Sequence, residues 1–166
     1  MLKINRMLRK IRDREEGSVI ILTAFMLVIL IGFISLVLDI GKLYLIKNKL
    51  QTAADMGAAA AVRQVNLSEL KINPGARIKI DKIAATRVAN EYAKANIDPK
   101  LTKMGTIRIT VVVKNNPPYK YDGPHVTVSV SAVSTNLPLI EVLTGKWGDG
   151  IRVSGASTAD LTEAHY

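Results

Sequence analysis

SVIILTAFMLVILIGFISLVL, residues 18–38, is the stretch of this sequence that decides the fold. It contains 21 residues without a charge, of which 17 are hydrophobic. As a helix it would be about 31 Å long at 1.5 Å per residue, which matches the roughly 30 Å hydrocarbon core of a bilayer. A cleaved signal peptide has a shorter apolar segment with small residues at its exit, whereas this run ends in Asp39-Ile40-Gly41-Lys42. We therefore predict that residues 18–38 form a retained transmembrane helix.

The charge of the chain is distributed unevenly about this run. The chain has 166 residues, a formal net charge of +9 and no cysteine, and its length excludes a large multidomain enzyme. Residues 1–17 contain six Lys or Arg, whereas only Lys42, Lys47 and Lys49 follow the run within a comparable distance. Basic residues favour the cytoplasmic side of a membrane. We expect residues 1–17 to be a cytoplasmic basic leader and the bulk of the chain to lie outside.

The helical pattern continues beyond the membrane exit. Apolar or small residues recur at spacings of three and four, and no proline occurs between Ser18 and Val65. We predict one helix over this range, with residues 39–65 as its extracytoplasmic half. Small residues four apart let another backbone come close, either a neighbouring helix or the protein's own sheet, although alanine also favours a helix by itself. We assign partner-helix packing to Ala53, Ala54, Gly57, Ala58 and Ala61.

A second helix is predicted in the remainder, residues 66–166, which we interpret as a small head. Asn66 to Lys79 has the composition of a connector, with Asn73-Pro74-Gly75 as its turn. Asp81 is a predicted cap for a helix from Lys82 to about Asn96. The expected apolar stripe of that helix is Ile83, Ala84, Val88, Tyr92 and Ala95.

The rest of the head has the alternation of β-strands. A period of two predicts strands around 107–113 and 126–131, and a third strand from Ile151 to about Ala159. A short helical segment is expected near 139–143, and Gly155 predicts a bulge or a close backbone approach. The predicted fold class is therefore α+β: a long N-terminal helix, half in the membrane, carrying a second helix and a three-stranded, mainly antiparallel sheet.

Both ends of the chain resemble one known family. The stretch REEGSVIILTAFMLVILIGFISLVLDIGKLYLIKNKLQTAADMGAAAAV, residues 14–62, resembles the N-terminal segment of the TadE/TadG-like family of Flp (tight adherence) pilus-assembly proteins. The C-terminal IRVSGASTA, residues 151–159, is similar as well. The resemblance implies a pilin-like head, a single-pass protein of the bacterial cytoplasmic membrane or of a surface pilus, and a hetero-oligomer with other pilins or pilus-assembly membrane proteins.

Two departures from the pilin pattern refine this interpretation. Processed pilins resemble this chain in having a basic leader and a glycine before the apolar run, so Gly17 and Ser18 form a candidate processing site. Such pilins carry Glu at the fifth mature position, where this chain has Leu22. The sequence also lacks the Asp-x-Ser-x-Ser motif of the integrin-type domain in longer relatives. The resemblance therefore favours the TadG-like branch in a short form, as an accessory or minor component.

Four residues of the resembling segment form a candidate membrane-exit motif, namely Asp39, Gly41, Tyr44 and Asp55. Asp39 has two interpretations: a charge that pairs with a partner subunit or a basic residue, and an interfacial carboxylate that headgroup water wets. Tyr44 is expected to be an interface anchor.

The sequence shows no pattern of catalytic or metal-binding residues. It has two separated histidines and no cysteine, so we predict no catalytic residue, no metal and no cofactor. Its lysines are scattered and are not interleaved with aromatic residues, so no nucleic acid is expected. The predicted function is a membrane-anchored, non-enzymatic pilus-assembly accessory protein or minor pilin-like subunit. The alternative is a non-pilus, membrane-tethered module that binds anionic envelope polymers or surfaces.

Overall fold

A long α-helix, α1 (Leu2–Val62), dominates the computed structural model, which describes residues 2–72, 78–102, 106–115, 123–134, 137–145 and 150–161. The helix has 61 residues, and at 1.5 Å per residue it is about 92 Å long. Its large apolar side chains within residues 18–38 are exposed, except Leu36, which is half-buried. In the part of the chain that the structure describes, it is the one helix long and apolar enough to cross a membrane. The predicted continuous helix is confirmed, although it ends three residues earlier than expected.

After the end of α1, the chain forms a short antiparallel backbone contact. Val65 bridges Ile80, with the Asp81 N–H donating to the Gln64 carbonyl at 2.7 Å. A short helix, α2 (Leu67–Ile72), occupies part of the segment that we expected to be a connector. The predicted turn at 73–75 lies outside the described residues.

The second long helix is α3 (Lys82–Ala95), and its predicted cap is confirmed. Asp81 Oδ1 accepts hydrogen bonds from the N–H groups of Ile83 at 2.9 Å and Ala84 at 3.1 Å, and so satisfies amides at the helix start that have no partner within the helix. The predicted apolar stripe is wrong: Ile83 is 84% exposed, and the buried face consists of Ala85, Ala89 and Ala93. Alanine occupies this face because α3 lies close against α1. A single turn, α4 (Pro99–Thr102), follows.

The sheet has three strands in sequence order, β1 (Ile107–Lys114), β2 (His125–Ser134) and β3 (Ile151–Asp160). Both pairs are antiparallel, so the predicted α+β fold with a long helix, a second helix and this sheet is confirmed. The ladder between β2 and β3 pairs every residue from Ile151 to Asp160, so Gly155 does not form a bulge. Between β2 and β3 lies α5 (Pro138–Thr144), close to the expected position.

The hydrophobic core lies between the inner face of the sheet and the two long helices. The central strand contributes the fully buried Val126, Val128 and Val130, which alternate with outward-facing residues. Helix α1 contributes buried residues from Ile46 to Ala61. Because α1 forms one wall of this core, the head and the outer half of the helix are a single packed unit.

Candidate functional site

The small-residue face of α1 is filled by the chain itself. Ala53, Ala54, Gly57, Ala58 and Ala61 are all buried. A Cβ added at Gly57 would lie 3.0 Å from the Ala89 carbonyl oxygen and 3.2 Å from the Ala93 Cβ. The sequence left open whether a neighbouring helix or the protein's own sheet packs against this face. In the structure, the protein's own chain packs against it. Our assignment of this face to partner helices is therefore corrected, because α3 and the sheet already cover it.

A glutamine on the neighbouring face of α1 binds the main chain of the edge strand β3. Gln51 Nε2 donates to the Ala156 carbonyl oxygen at 2.8 Å, and Gln51 Oε1 accepts from the Ala156 N–H at 3.2 Å. The same Nε2 donates to Asp55 Oδ1 at 2.9 Å. Asp55 thus fixes the orientation of the Gln51 amide, which satisfies main-chain groups that an edge strand otherwise leaves unpaired.

Gly155 allows β3 to approach the backbone of α1 at this point. A Cβ at residue 155 would lie 2.6 Å from the Gln51 Cα and 2.7 Å from the Leu50 carbonyl carbon, so no other residue fits without a shift of backbone. The predicted close approach is confirmed, and its partner is the long helix. The pair Gln51 and Gly155 joins the two parts of the chain on which the family resemblance rests.

Asp39 is buried at the foot of the head, directly after the apolar run. It is 1% exposed, and its Oδ2 accepts a hydrogen bond of 3.4 Å from the N–H of Ile140 in the first turn of α5. Leu137, the residue that precedes α5, makes no side-chain cap of its own. A carboxylate near a helix start interacts favourably with the N–H groups and the helix dipole. The interpretation of Asp39 as a carboxylate wetted by headgroup water is therefore corrected, since the residue is buried against the head of its own chain, whereas its pairing with a partner subunit or a basic residue stays a prediction.

The remaining residues of the expected membrane-exit motif do not converge on Asp39. Gly41 has open space where a Cβ would lie, and Tyr44 is 64% exposed. Asp55 lies 16 residues further along the helix and binds Gln51. Asp39 and Asp55 thus take part in two separate contacts, whereas Gly41 and Tyr44 lie on an open surface.

An exposed apolar stripe continues the surface of the anchor beyond the end of the apolar run. Its members are Ile40, Tyr44 and Leu45, and each of them is more than half exposed. Ile40 and Tyr44 are four residues apart and lie on one face of the helix, and Leu45 lies about 100° further around the helix from Tyr44. We call these three residues the exit stripe, and it is a surface that another helix could contact. Sequence reasoning overlooked it because alanine and glycine four apart were the stronger packing signal.

The candidate processing site lies within α1. Gly17 and Ser18 are both helical, and a Cβ at residue 17 would meet no atom within 4 Å. Leu22, where processed pilins carry Glu, is an exposed member of the apolar surface.

One ion pair joins α1 to the segment between α3 and α4. Lys49 of α1 donates to Asp98 Oδ2, just before α4. The hydrogen bond from Lys49, helped by the Lys100 N–H, lowers the pKa of Asp98 below its ordinary value of 3.8. Within the described ranges, no group of three or more His, Asp or Glu side chains could hold a metal ion.

The comparison with known families identifies the long helix. Residues 17–64 match the family described as putative Flp pilus-assembly TadE/G-like. The helix carries a TadE/G-like segment. No curated protein matches the chain, and no solved structure does. The TadE/G-like segment covers the whole apolar run and the outer half of α1, so it includes Asp39, the exit stripe and Gln51. The family resemblance is thereby confirmed for this segment, while the TadG-like branch and the short form stay predictions.

Proposed function

We propose that this protein is an accessory or minor pilin-like subunit of a tight-adherence (Flp) pilus system and that it acts by helix-mediated assembly. The observation that carries the proposal is the coincidence of the TadE/G-like segment with the membrane-crossing helix and its outer half. A non-enzymatic structural role agrees with this family.

The proposed location is the bacterial cytoplasmic membrane, with residues 1–17 in the cytoplasm and the head outside. The six Lys or Arg residues that precede the run support this orientation, since they exceed the three that follow it. Incorporation into a surface pilus would place the same helix inside a filament. Leu22 argues against a bulk filament subunit, because a filament that relies on a Glu at this position would lack that contact.

The proposed partner surface is the exit stripe together with the lipid-facing side of the anchor. Replacement of Gly57 with a large residue cannot test assembly, because Gly57 lies in the core and the variant would disrupt the head. Ile40, Tyr44 and Leu45 are exposed, so their substitution leaves the core intact.

The experiment is copurification of pilus-system membrane proteins with the tagged full chain in mild detergent. The double variant Tyr44→Ser and Leu45→Ser should lose those proteins and reduce piliation. The control is Ile83→Ser, which removes an exposed apolar side chain from α3 without touching the long helix. Equal copurification and normal piliation in the double variant would overturn the proposed surface.

Processing between Gly17 and Ser18 is part of the same proposal. The mass of the mature N-terminus decides it, and a Gly17→Leu variant should abolish any cleavage at this bond. An uncleaved chain would favour a resident assembly factor, and a cleaved chain would favour a minor pilin.

The second candidate is the binding of anionic polymers by the outer face of the sheet. Arg108, Lys114 and Arg152 are exposed on this face beside the acidic Asp160, and their three positive charges exceed its one negative charge. The full chain in nanodiscs would bind an anionic polysaccharide such as alginate in a salt-dependent manner. Arg108→Glu with Arg152→Glu should abolish that binding, whereas Lys71→Glu on α2 should not. No binding by the parent chain would exclude this function.

A further inference from the structure

Helix α5 lies against α1 at the level of the membrane exit. The N–H of Ile140 in its first turn donates to Asp39, and Asp39 immediately follows the uncharged run. The head therefore reaches down to the end of the segment that fits the hydrocarbon core. This position differs from that of α3, whose start lies beside the far end of α1.

The head also covers part of the last helical turn of the apolar run. Ser35 and Leu36, which lie four and three residues before Asp39 on the same side of α1, are half-buried. Val37 and Leu38, on the other sides of the helix, are 67% and 59% exposed. A bilayer that covers the run therefore comes to the level of the head on this side.

The C-terminal half of α5 presents large apolar side chains outward at this level. Val142 is 53% exposed and Leu143 is 69% exposed, whereas Leu137 at the start of the helix is fully buried. Two neighbouring exposed aliphatic side chains contribute nothing to the core of the head. They follow Ile140 by two and three residues, and Ile140 contacts Asp39 at the end of the apolar run.

We propose that α5 is a second membrane contact and that Val142 and Leu143 insert into the boundary between acyl chains and headgroups. The occupant of this apolar surface is the lipid bilayer, because α5 contacts α1 at Asp39, where the run that fits the hydrocarbon core ends. Short apolar segments bind at this depth when their exposed side chains can leave water. The exposed Lys42 and Lys47, one to two turns beyond Asp39, are then at the level of anionic headgroups.

This second contact gives the head a fixed orientation on the membrane. A single helix leaves the tilt of the head relative to the membrane plane free, whereas a second contact to one side of the helix axis restricts that tilt. With the tilt restricted, the exit stripe stays at a constant height above the bilayer. The inference depends on the anchor and does not depend on a role in pilus assembly.

Single-cysteine labelling tests the proposal on the full chain, since the sequence contains no cysteine. Leu143→Cys is labelled with the fluorophore NBD and reconstituted into nanodiscs of phosphatidylethanolamine and phosphatidylglycerol. Ile83→Cys is the matched control, because Ile83 is an exposed aliphatic residue near the far end of α1. That end lies about 35 Å from Asp39 at 1.5 Å per residue. Val37→Cys gives the reference for a lipid-facing side chain.

We expect the emission of the label at 143 to be shifted to the blue relative to the label at 83. Spin-labelled lipids should quench the label at 143 as they quench the label at 37. An emission at 143 equal to that at 83, with no quenching by lipid, would overturn the proposal. A blue-shifted label at 143 that spin-labelled lipids do not quench would also overturn it, since a protein would then cover the surface. Far-UV circular dichroism equal to that of the parent chain verifies that each variant is folded.

Discussion

Gln51 of the long helix and Ala156 of the edge strand are joined by two hydrogen bonds through a single side-chain amide. The Nε2 group donates at 2.8 Å and the Oε1 atom accepts at 3.2 Å, so the amide binds β3 as a neighbouring strand would. Asp55 holds the amide in this orientation, and Gly155 lets the strand come close enough. Gln51, Asp55 and Gly155 therefore define how the sheet is attached to the membrane-crossing helix.

Replacement of Gln51 with Ala should weaken this attachment. Loss of both hydrogen bonds leaves main-chain groups of Ala156 without their side-chain partner, and we expect a cost of about 1–3 kcal/mol in the free energy of unfolding. Hydrogen exchange at the Ala156 amide should become faster in nanodiscs. The control is Thr52→Ala, which removes a bond to the Asn48 carbonyl within the helix. If both variants exchange at the parent rate at residue 156, the amide contact does not hold the strand.

Gly155→Ala should be more damaging than any change at Gln51. The new Cβ would collide with backbone atoms of Leu50 and Gln51, which cannot move aside as a side chain can. We expect a loss of at least about 3 kcal/mol, at the upper end of overpacking effects. Chemical denaturation in detergent, followed by circular dichroism, measures this loss. Gly41→Ala is the matched control, since it meets no atom within 4 Å and should be neutral or stabilising. Comparable stability of the two variants would contradict the close approach.

Asp39→Ala should detach α5 from the long helix. The Ile140 N–H would lose its acceptor beside the buried residue 39, with an expected cost of about 1–3 kcal/mol. Asp39→Asn retains an acceptor oxygen and should lose less. Hydrogen exchange of residues 140–144, compared between the two variants, measures the difference. Unchanged exchange in Asp39→Ala would show that the carboxylate does not position α5.

The Lys49 and Asp98 ion pair should make stability depend on pH in the acid range. The pKa of Asp98 is lowered in the folded protein, so the stabilisation is present above the ordinary value of 3.8 and is lost as the pH falls through the lowered value. Asp98→Asn should remove this acid-dependent part, and Lys49→Gln should remove most of it. Both side chains are partly exposed, so the effect should be small and should decrease with added salt. Thermal unfolding at several pH values measures it, and an identical acid dependence in parent and Asp98→Asn would contradict it.

Local periodicity was sufficient to predict the long helix, α3, α5 and the three strands, but not the short helices α2 and α4. The uncharged run, the Asp81 cap and the alternation of the strands each depend on residues that are close together in the sequence. A single sequence is therefore enough to predict these features. The occupant of a packing face depends on residues far apart in sequence. The small-residue face of α1 was therefore assigned to partner helices, although Ala89 and Ala93 of α3 fill it.

Asp39 and Ile83 show the same limit of prediction from sequence. Asp39 was expected to be accessible and is buried, whereas Ile83 was expected to be buried and is exposed. A carboxylate beside a membrane helix suggests exposure to water or to a partner, and only the return of the chain at Ile140 reveals an intramolecular acceptor role. Ile83 appeared to belong to a core stripe by its hydrophobicity. The close approach of α1 and α3 selects alanine for that stripe instead and leaves Ile83 exposed.

The measurement that tests the proposed role most directly is photocrosslinking from Tyr44 in piliated cells. A benzoylphenylalanine at this position replaces an exposed aromatic side chain of the exit stripe in the full chain at its native level. We expect crosslinks to membrane components of the Flp pilus system, with the same probe at Ile83 as the control that does not capture them. Absence of any pilus-system protein among the products at residue 44, in cells that make pili, would contradict the account.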